Sequence, residues 1–285
     1  MFKSLIRTFA IVAAFIAGYM MPGLHVYSWM FKWMLIVMLF VTFLGIRFKR
    51  MKPERAHWLL TGANLMVALA AWGVCRLVFG DGYLAQAAFF VGIMPTATAA
   101  PVVMGLLGGS VEFMLTALLL INGIICALLP FILPAVVGRG GFEIYLNVAQ
   151  NISLVMLLPL ALALAARRFY PRAIAWPRKL KDVTFGIWVV ILVLIAANAS
   201  YDISSREGIS ERVLEQIGVI ALLVCGVNFG LGYLLGGRTR AAECSQALGQ
   251  KNTTLSIYLA LTYASPIAAL GPTFYVLWHN LWNAW

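Results

Sequence analysis

Acidic residues are scarce: 10 Asp and Glu in 285 residues, against 21 Lys and Arg. Charge of either sign makes up only 11% of the chain, while 62% is hydrophobic. A soluble domain of this length cannot hide so much apolar sequence. Reactive side chains are few as well. Cys75, Cys126, Cys225 and Cys244 fall in or beside apolar runs and show neither pairing nor metal-ligand spacing, so they read as helix-packing residues. His25, His57 and His279 sit near the ends of apolar runs and are expected at interfaces. There is no His-Glu-x-x-His, no pair of intramembrane aspartates and no Gly-x-Ser-x-Gly, so an enzyme is not expected. No cofactor is implied.

Long apolar runs are what the chain has. Several reach the roughly 20 residues needed to cross a bilayer core of about 30 Å. We place ten spans at 5–21, 30–46, 57–79, 83–107, 111–137, 143–166, 183–199, 213–236, 241–262 and 265–284. The basic start resembles a secretory signal, but Ala17-Gly-Tyr-Met-Met-Pro22 lacks the small residues of a cleavage site, so the segment reads as a retained first helix. With the N terminus inside, most of the 21 basic residues fall on one side: Lys3 and Arg7, the 47–55 loop with Arg47, Lys49, Arg50, Lys52 and Arg55, the 167–181 segment, and Arg238 and Arg240. The other side holds Asp81, Glu143, Asp202, Glu207 and Glu211, with a few cations including Arg206. This parity satisfies the positive-inside rule and the opposite one does not. Both termini are therefore expected in the cytoplasm, with the chain in a bacterial cytoplasmic (inner) membrane. The basic loops orient the protein and do not suggest nucleic acid. Trp29, Trp33, Trp58, Trp278, Trp282 and Trp285 lie near span ends, as an interfacial belt contacting membrane lipid requires.

Ten spans divide into five and five, with a seam at 138–142 (Gly-Arg-Gly-Gly-Phe). The expected halves are 1–139 and 140–285. An odd number of spans per half forces the second to enter upside down. Each half has a basic loop after its second span and an irregular fourth span. The expected fold is thus an all-α polytopic membrane protein with a 5+5 inverted repeat and discontinuous helices 4 and 9, a layout that builds binding sites near the bilayer midplane.

In the fourth span, Pro95 and Pro101 bracket Thr96-Ala-Thr98-Ala-Ala. Each proline removes a backbone donor and clashes with the turn before it. One proline would fit a simple kink; two, with Thr96 and Thr98 between them, predict a broken helix whose freed carbonyls face protein or water. The ninth span carries Gln246, Gly249, Gln250, Lys251, Asn252 and Thr253. Apolar sequence resumes at Leu255, so Lys251 is expected in mid-span, too deep to snorkel to an interface. An ammonium at that depth costs a few kcal/mol or more and faces a cavity or a partner. Asn64, Asn122 and Asn228 lie in spans 3, 5 and 8. Each alone is ordinary helix–helix glue; together they predict a shared polar pocket. Glu243, near Arg238 and Arg240, is expected in a surface ion pair.

These motifs resemble the bile acid:sodium symporter superfamily. Met94-Pro-Thr-Ala-Thr-Ala-Ala-Pro-Val102 resembles its fourth-span Cys-Pro-Gly-Gly-Thr-Ala-Ser-Asn-Val. Gly249-Gln-Lys-Asn-Thr-Thr-Leu255 resembles its ninth-span Gly-Met-Gln-Asn-Ser-Gly-Leu, and Val227-Asn-Phe-Gly-Leu-Gly-Tyr233 its glycine-rich eighth span. The resemblance implies a core of spans 3–5 and 8–10, a panel of spans 1, 2, 6 and 7, and broken helices 4 and 9 crossing near the substrate. The sodium ligands depart from the pattern. The fourth-span Ser-Asn pair reads Ala100 and Pro101, Asn122 matches the fifth-span hydroxyl, and Asn64 stands at the third-span glutamine. One register places Ala247 at the ninth-span glutamate and Lys251 at its glutamine; a shift by one places Gln246 and Gln250 there. Neither supplies a carboxylate, which a hard cation usually wants. The resemblance therefore implies a secondary transporter of a small organic anion with an absent or degenerate sodium site, Lys251 standing in for a cation. A conventional sodium-coupled symporter and an ion channel are the alternatives.

Overall fold

A computed structural model describes residues 2–46, 51–205 and 211–284. Arg47, Lys49, Arg50, Arg206, Glu207 and Trp285 lie outside the described residues. The helices are α1 (Phe2–Met20), α2 (Met30–Leu44), α3 (Arg55–Phe79), α4 (Tyr83–Ile93), α5 (Ala100–Leu106), α6 (Val111–Val136), α7 (Phe142–Phe169), α8 (Trp176–Lys179), α9 (Lys181–Ser205), α10 (Glu211–Gly249), α11 (Thr253–Tyr263) and α12 (Pro266–Ala284). No strand occurs among the described residues. Five helices (α3, α6, α7, α9 and α10) are long and apolar enough to cross a membrane, and α2 and α4 are shorter apolar helices. Large apolar side chains such as Leu77, Phe131 and Leu234 stand on the outside. This is the surface of an all-α membrane protein, on which lipid replaces water.

The chain divides into two compact units. The first comprises residues 1–46 and 150–209, with Ala284. In it α1 packs on α9, where Gly18 lets the backbones meet: a Cβ there would stand 2.2 Å from the Val193 carbonyl oxygen. Small residues at such contacts are how membrane helices gain packing without a hydrophobic driving force. Polar ties reinforce it, including Ser28 Oγ to Asn198 Oδ1 at 2.8 Å and Ser200 Oγ to the Tyr19 carbonyl at 2.8 Å.

The second unit comprises residues 47–149 and 210–283, with Trp285. Its helix starts are capped from the sequence. Glu54 and His57 form a reciprocal capping box at α3, and Ser110 Oγ accepts the Phe113 N–H at 3.2 Å to start α6. The 39-residue α10 is two limbs, since Gly237 (φ 55°) and Arg240 leave helical geometry. Residues 16 apart in a straight helix would lie about 24 Å apart at 1.5 Å each. Yet Ser245 Oγ donates to the Phe229 carbonyl at 2.9 Å, so the second limb folds back along the first. A positive φ at the reversal is cheap only for glycine.

Three expectations need correction here. His57 and His279 are buried, not interfacial. His57 lies against the Phe113 ring, with its Nε2 3.1 Å from the Phe113 carbonyl, and His279 meets the Tyr275 ring edge-on. Glu243 is only 8% exposed: it accepts the Ser110 N–H at 3.1 Å and lies 3.5 Å from Arg240, which also reaches Glu54 at 3.1 Å. The α10 reversal carries the carboxylate under the chain between α5 and α6, a long-range contact that charge patterning does not show. Pro101 opens α5 and does not break a helix. At a helix start the N–H that proline lacks has no partner anyway.

Candidate functional site

Two helices of the second unit are interrupted at one place. α4 ends at Ile93 and α5 begins at Ala100; α10 ends at Gly249 and α11 begins at Thr253. Between them Thr96 and Lys251 form an antiparallel bridge. The Ala97 N–H donates to the Gln250 carbonyl, and the Asn252 N–H to the Pro95 carbonyl, both at 2.8 Å. Each broken segment thus supplies the partner that the other lost, which answers the need for every buried backbone group to be bonded.

Side chains take up much of the remaining demand. Thr96 Oγ1 donates to the Ala247 carbonyl at 2.7 Å, and Asn122 Nδ2 donates to the Thr96 carbonyl at 2.9 Å. The Asn252 side chain caps α11 by accepting the Leu255 N–H at 3.4 Å. Tyr275 O–H donates to the Gly249 carbonyl at 2.7 Å and accepts from Asn228 Nδ2 at 3.2 Å. Ser256 Oγ donates to the Phe90 carbonyl at 2.6 Å. Gly249 is needed for space, because a Cβ there would stand 2.4 Å from the Phe229 ring.

Lys251 lies at the centre and is 1% exposed. Its Nζ donates to Asn64 Oδ1, and Asn64 Nδ2 donates to the Ile93 carbonyl at 3.3 Å. That carbonyl belongs to the last turn of α4, where the helix dipole is negative. Asn64 therefore relays the ammonium onto a helix C-terminus. Among the described residues no carboxylate pairs with Lys251. An amide can orient a cation but not neutralise it, so a protonated Lys251 is an uncompensated and costly charge inside the protein.

The structure brings together Pro95, Thr96, Asn64, Asn122, Gln250, Lys251 and Asn252. Asn228 joins through Tyr275. Gln246 turns away and donates to Asn283 Oδ1 at 2.8 Å. Thr98 is half-buried in the turn and Thr253 opens α11; neither side chain enters the hydrogen bonds of the crossing. Sequence reasoning missed Tyr275 and Ser256. Both sit within apolar stretches, where a hydroxyl that serves a distant carbonyl looks like any other packing residue. A separate cavity of about 420 Å³, lined by Lys52, Glu54, Ser110, Glu112, Phe113, Thr116 and Arg240, lies around the Arg240 ion pairs.

No protein-family model matches the chain, and comparison with curated proteins gives no match. The class stated by the fold and the site is therefore an all-α membrane protein with two interrupted helices paired around a buried lysine.

Proposed function

We propose that the chain is a secondary transporter of a small organic anion, similar to the bile acid:sodium symporters, in which Lys251 takes the place of a coupling cation. The observation that carries this reading is the buried ammonium of Lys251 at the crossing, held by a neutral amide with no paired carboxylate among the described residues. Polar residues at membrane depth mark substrate and ion pathways, and interrupted helices whose ends converge are the usual means of building a transport site. In this reading the chain has ten spans as two inverted five-span halves, a layout that brings two interrupted helices together near the bilayer midplane. Both termini then face the cytoplasm of a bacterial inner membrane. In its protonated form Lys251 is tied through Asn64 to the C-terminal end of α4 and offers a counter-charge to an anion. The alternative is sodium coupling, favoured by the side-chain oxygen of Gln250 at the crossing, which is buried without a partner.

A thermal-shift screen of small organic anions against the purified protein, in matched sodium and potassium buffers, tests both. An anion that stabilises wild type but not Lys251→Met, in either buffer, supports the proposal. Stabilisation that requires sodium and survives in Lys251→Met overturns it in favour of the alternative.

A further inference from the structure

A line of polar groups leads away from the crossing between α12 and the two limbs of α10. Tyr275, His279 and Asn283 recur every four residues, so they share one face of α12. Tyr275 reaches the Gly249 carbonyl at one end, and Asn283 accepts from Gln246 at the other. Cys225 packs in one buried cluster with Tyr275, and the Gly249 carbonyl that Tyr275 holds lies two residues before Lys251. The line thus runs from Lys251 past Cys225, Tyr275 and His279 to the partly exposed Asn283 near the C-terminal end of α12.

Several atoms along this line are buried without a partner: Asn228 Oδ1, His279 Nδ1 and Gln246 Oε1. Buried polar atoms are almost always bonded to protein or to ordered water, and a polar site with several such atoms is where buried water is held. These three come from the two limbs of α10 and from α12, and two more unpartnered atoms, Gln250 Oε1 and Asn252 Nδ2, lie at the crossing where the line begins.

From this arrangement we infer that the seam is a water-filled proton path connecting Lys251 with the aqueous phase at the Asn283 end. It rests on the reading of Lys251 as the transport centre and names its coupling ion as the proton. A proton entering at Asn283 and Gln246 passes along water, through the imidazole of His279 and past Tyr275, and adds to the lone pair of the neutral Lys251 amine. Release reverses each step, so no net bond is made elsewhere. The titratable groups facing the seam are Tyr275 and His279 from α12, Cys225 from the first limb of α10, and Lys251 just beyond the second. The neighbours from α3 and α4 (Val67, Val91 and Met94) are apolar. Among the described residues no ion pair reaches His279 or Lys251, so no fixed counter-charge masks the transfer.

Radiolytic hydroxyl labelling of the full-length protein in water enriched in heavy oxygen is the test, because radicals form where water is bound. Cys225 and Cys126 are both buried cysteines, but only the first lies on the seam. The path requires Cys225, Tyr275 and His279 to label several-fold faster than Cys126. His279→Phe should abolish the labelling of Tyr275 and Cys225, while His279→Gln should keep it. A pH jump followed with a soluble indicator dye should show Lys251→Met taking up one proton fewer than wild type, and His279→Phe taking it up more slowly. Equal labelling of Cys225 and Cys126, or proton uptake unchanged in Lys251→Met, overturns the path, and the wild-type comparison stands even if a variant misfolds. The two readings fail separately. A dry seam in a protein whose anion stabilisation still depends on Lys251 removes only the path, and a wet seam without such stabilisation removes the transport reading.

Discussion

The Nζ of Lys251 donates to Oδ1 of Asn64, two residues 187 positions apart that meet in the interior. A buried ammonium held by an amide alone makes each member sensitive to loss of the other. Asn64→Leu should destabilise the protein by about 1–3 kcal/mol, since it removes the acceptor of a charged donor. Combined with Lys251→Met, the loss should be less than additive, because the methionine no longer needs the acceptor. Denaturant unfolding in mixed micelles measures the cycle; strict additivity would show that the contact carries no energy.

The two threonines of the fourth-span break separate structure from composition. Thr96→Val removes the bond to the Ala247 carbonyl and should cost about 1 kcal/mol. Thr98→Val removes no hydrogen bond of the crossing and should stay within about 0.5 kcal/mol of wild type. The same unfolding measurement compares them.

Gly249→Ala forces a methyl into the Phe229 ring and should destabilise by about 1–3 kcal/mol. Trimming the obstacle should recover part of that: Gly249→Ala with Phe229→Leu is expected to be more stable than Gly249→Ala alone. If the double variant is worse than both singles, the glycine serves backbone geometry and not space.

Arg240 lies 3.5 Å from the buried Glu243 and 3.1 Å from Glu54. Removing the cation leaves the buried Glu243 carboxylate with the Ser110 N–H but no counter-charge, so Arg240→Gln should lower the unfolding temperature clearly. Glu243→Gln in the same background should restore part of it, because the uncompensated charge is gone. A scanning thermal-shift assay of the three variants reads this directly.

Sodium offers a last check. A ligand that binds only the native state raises stability by RT ln(1 + [L]/Kd), about 2.7 kcal/mol at a hundred times Kd. Midpoints in matched sodium and potassium buffers should coincide. A sodium-specific rise would point to a cation site at the crossing, around Gln250.

Local chemistry carries much of this protein's plan. The apolar runs that become α3, α6, α7, α9 and α10 are plain in the sequence because crossing hydrocarbon demands length and continuous apolarity, and both are local properties. The two interruptions are legible only in part: Pro95 with Thr96 and the polar cluster around Lys251 mark them, but proline alone does not stop a helix, since α6 runs on through Pro130 and Pro134. Residue types along the chain thus set where helices run and where they stop. What the stops are for came from packing in three dimensions. The bridge from Thr96 to Lys251, the relay through Asn64 to Ile93, the hydroxyl of Tyr275 on Gly249 and the burial of Glu243 and His279 all join segments far apart in the chain. A hydrogen bond is set by distance and direction in space, and no residue's type states which carbonyl will lie in front of it.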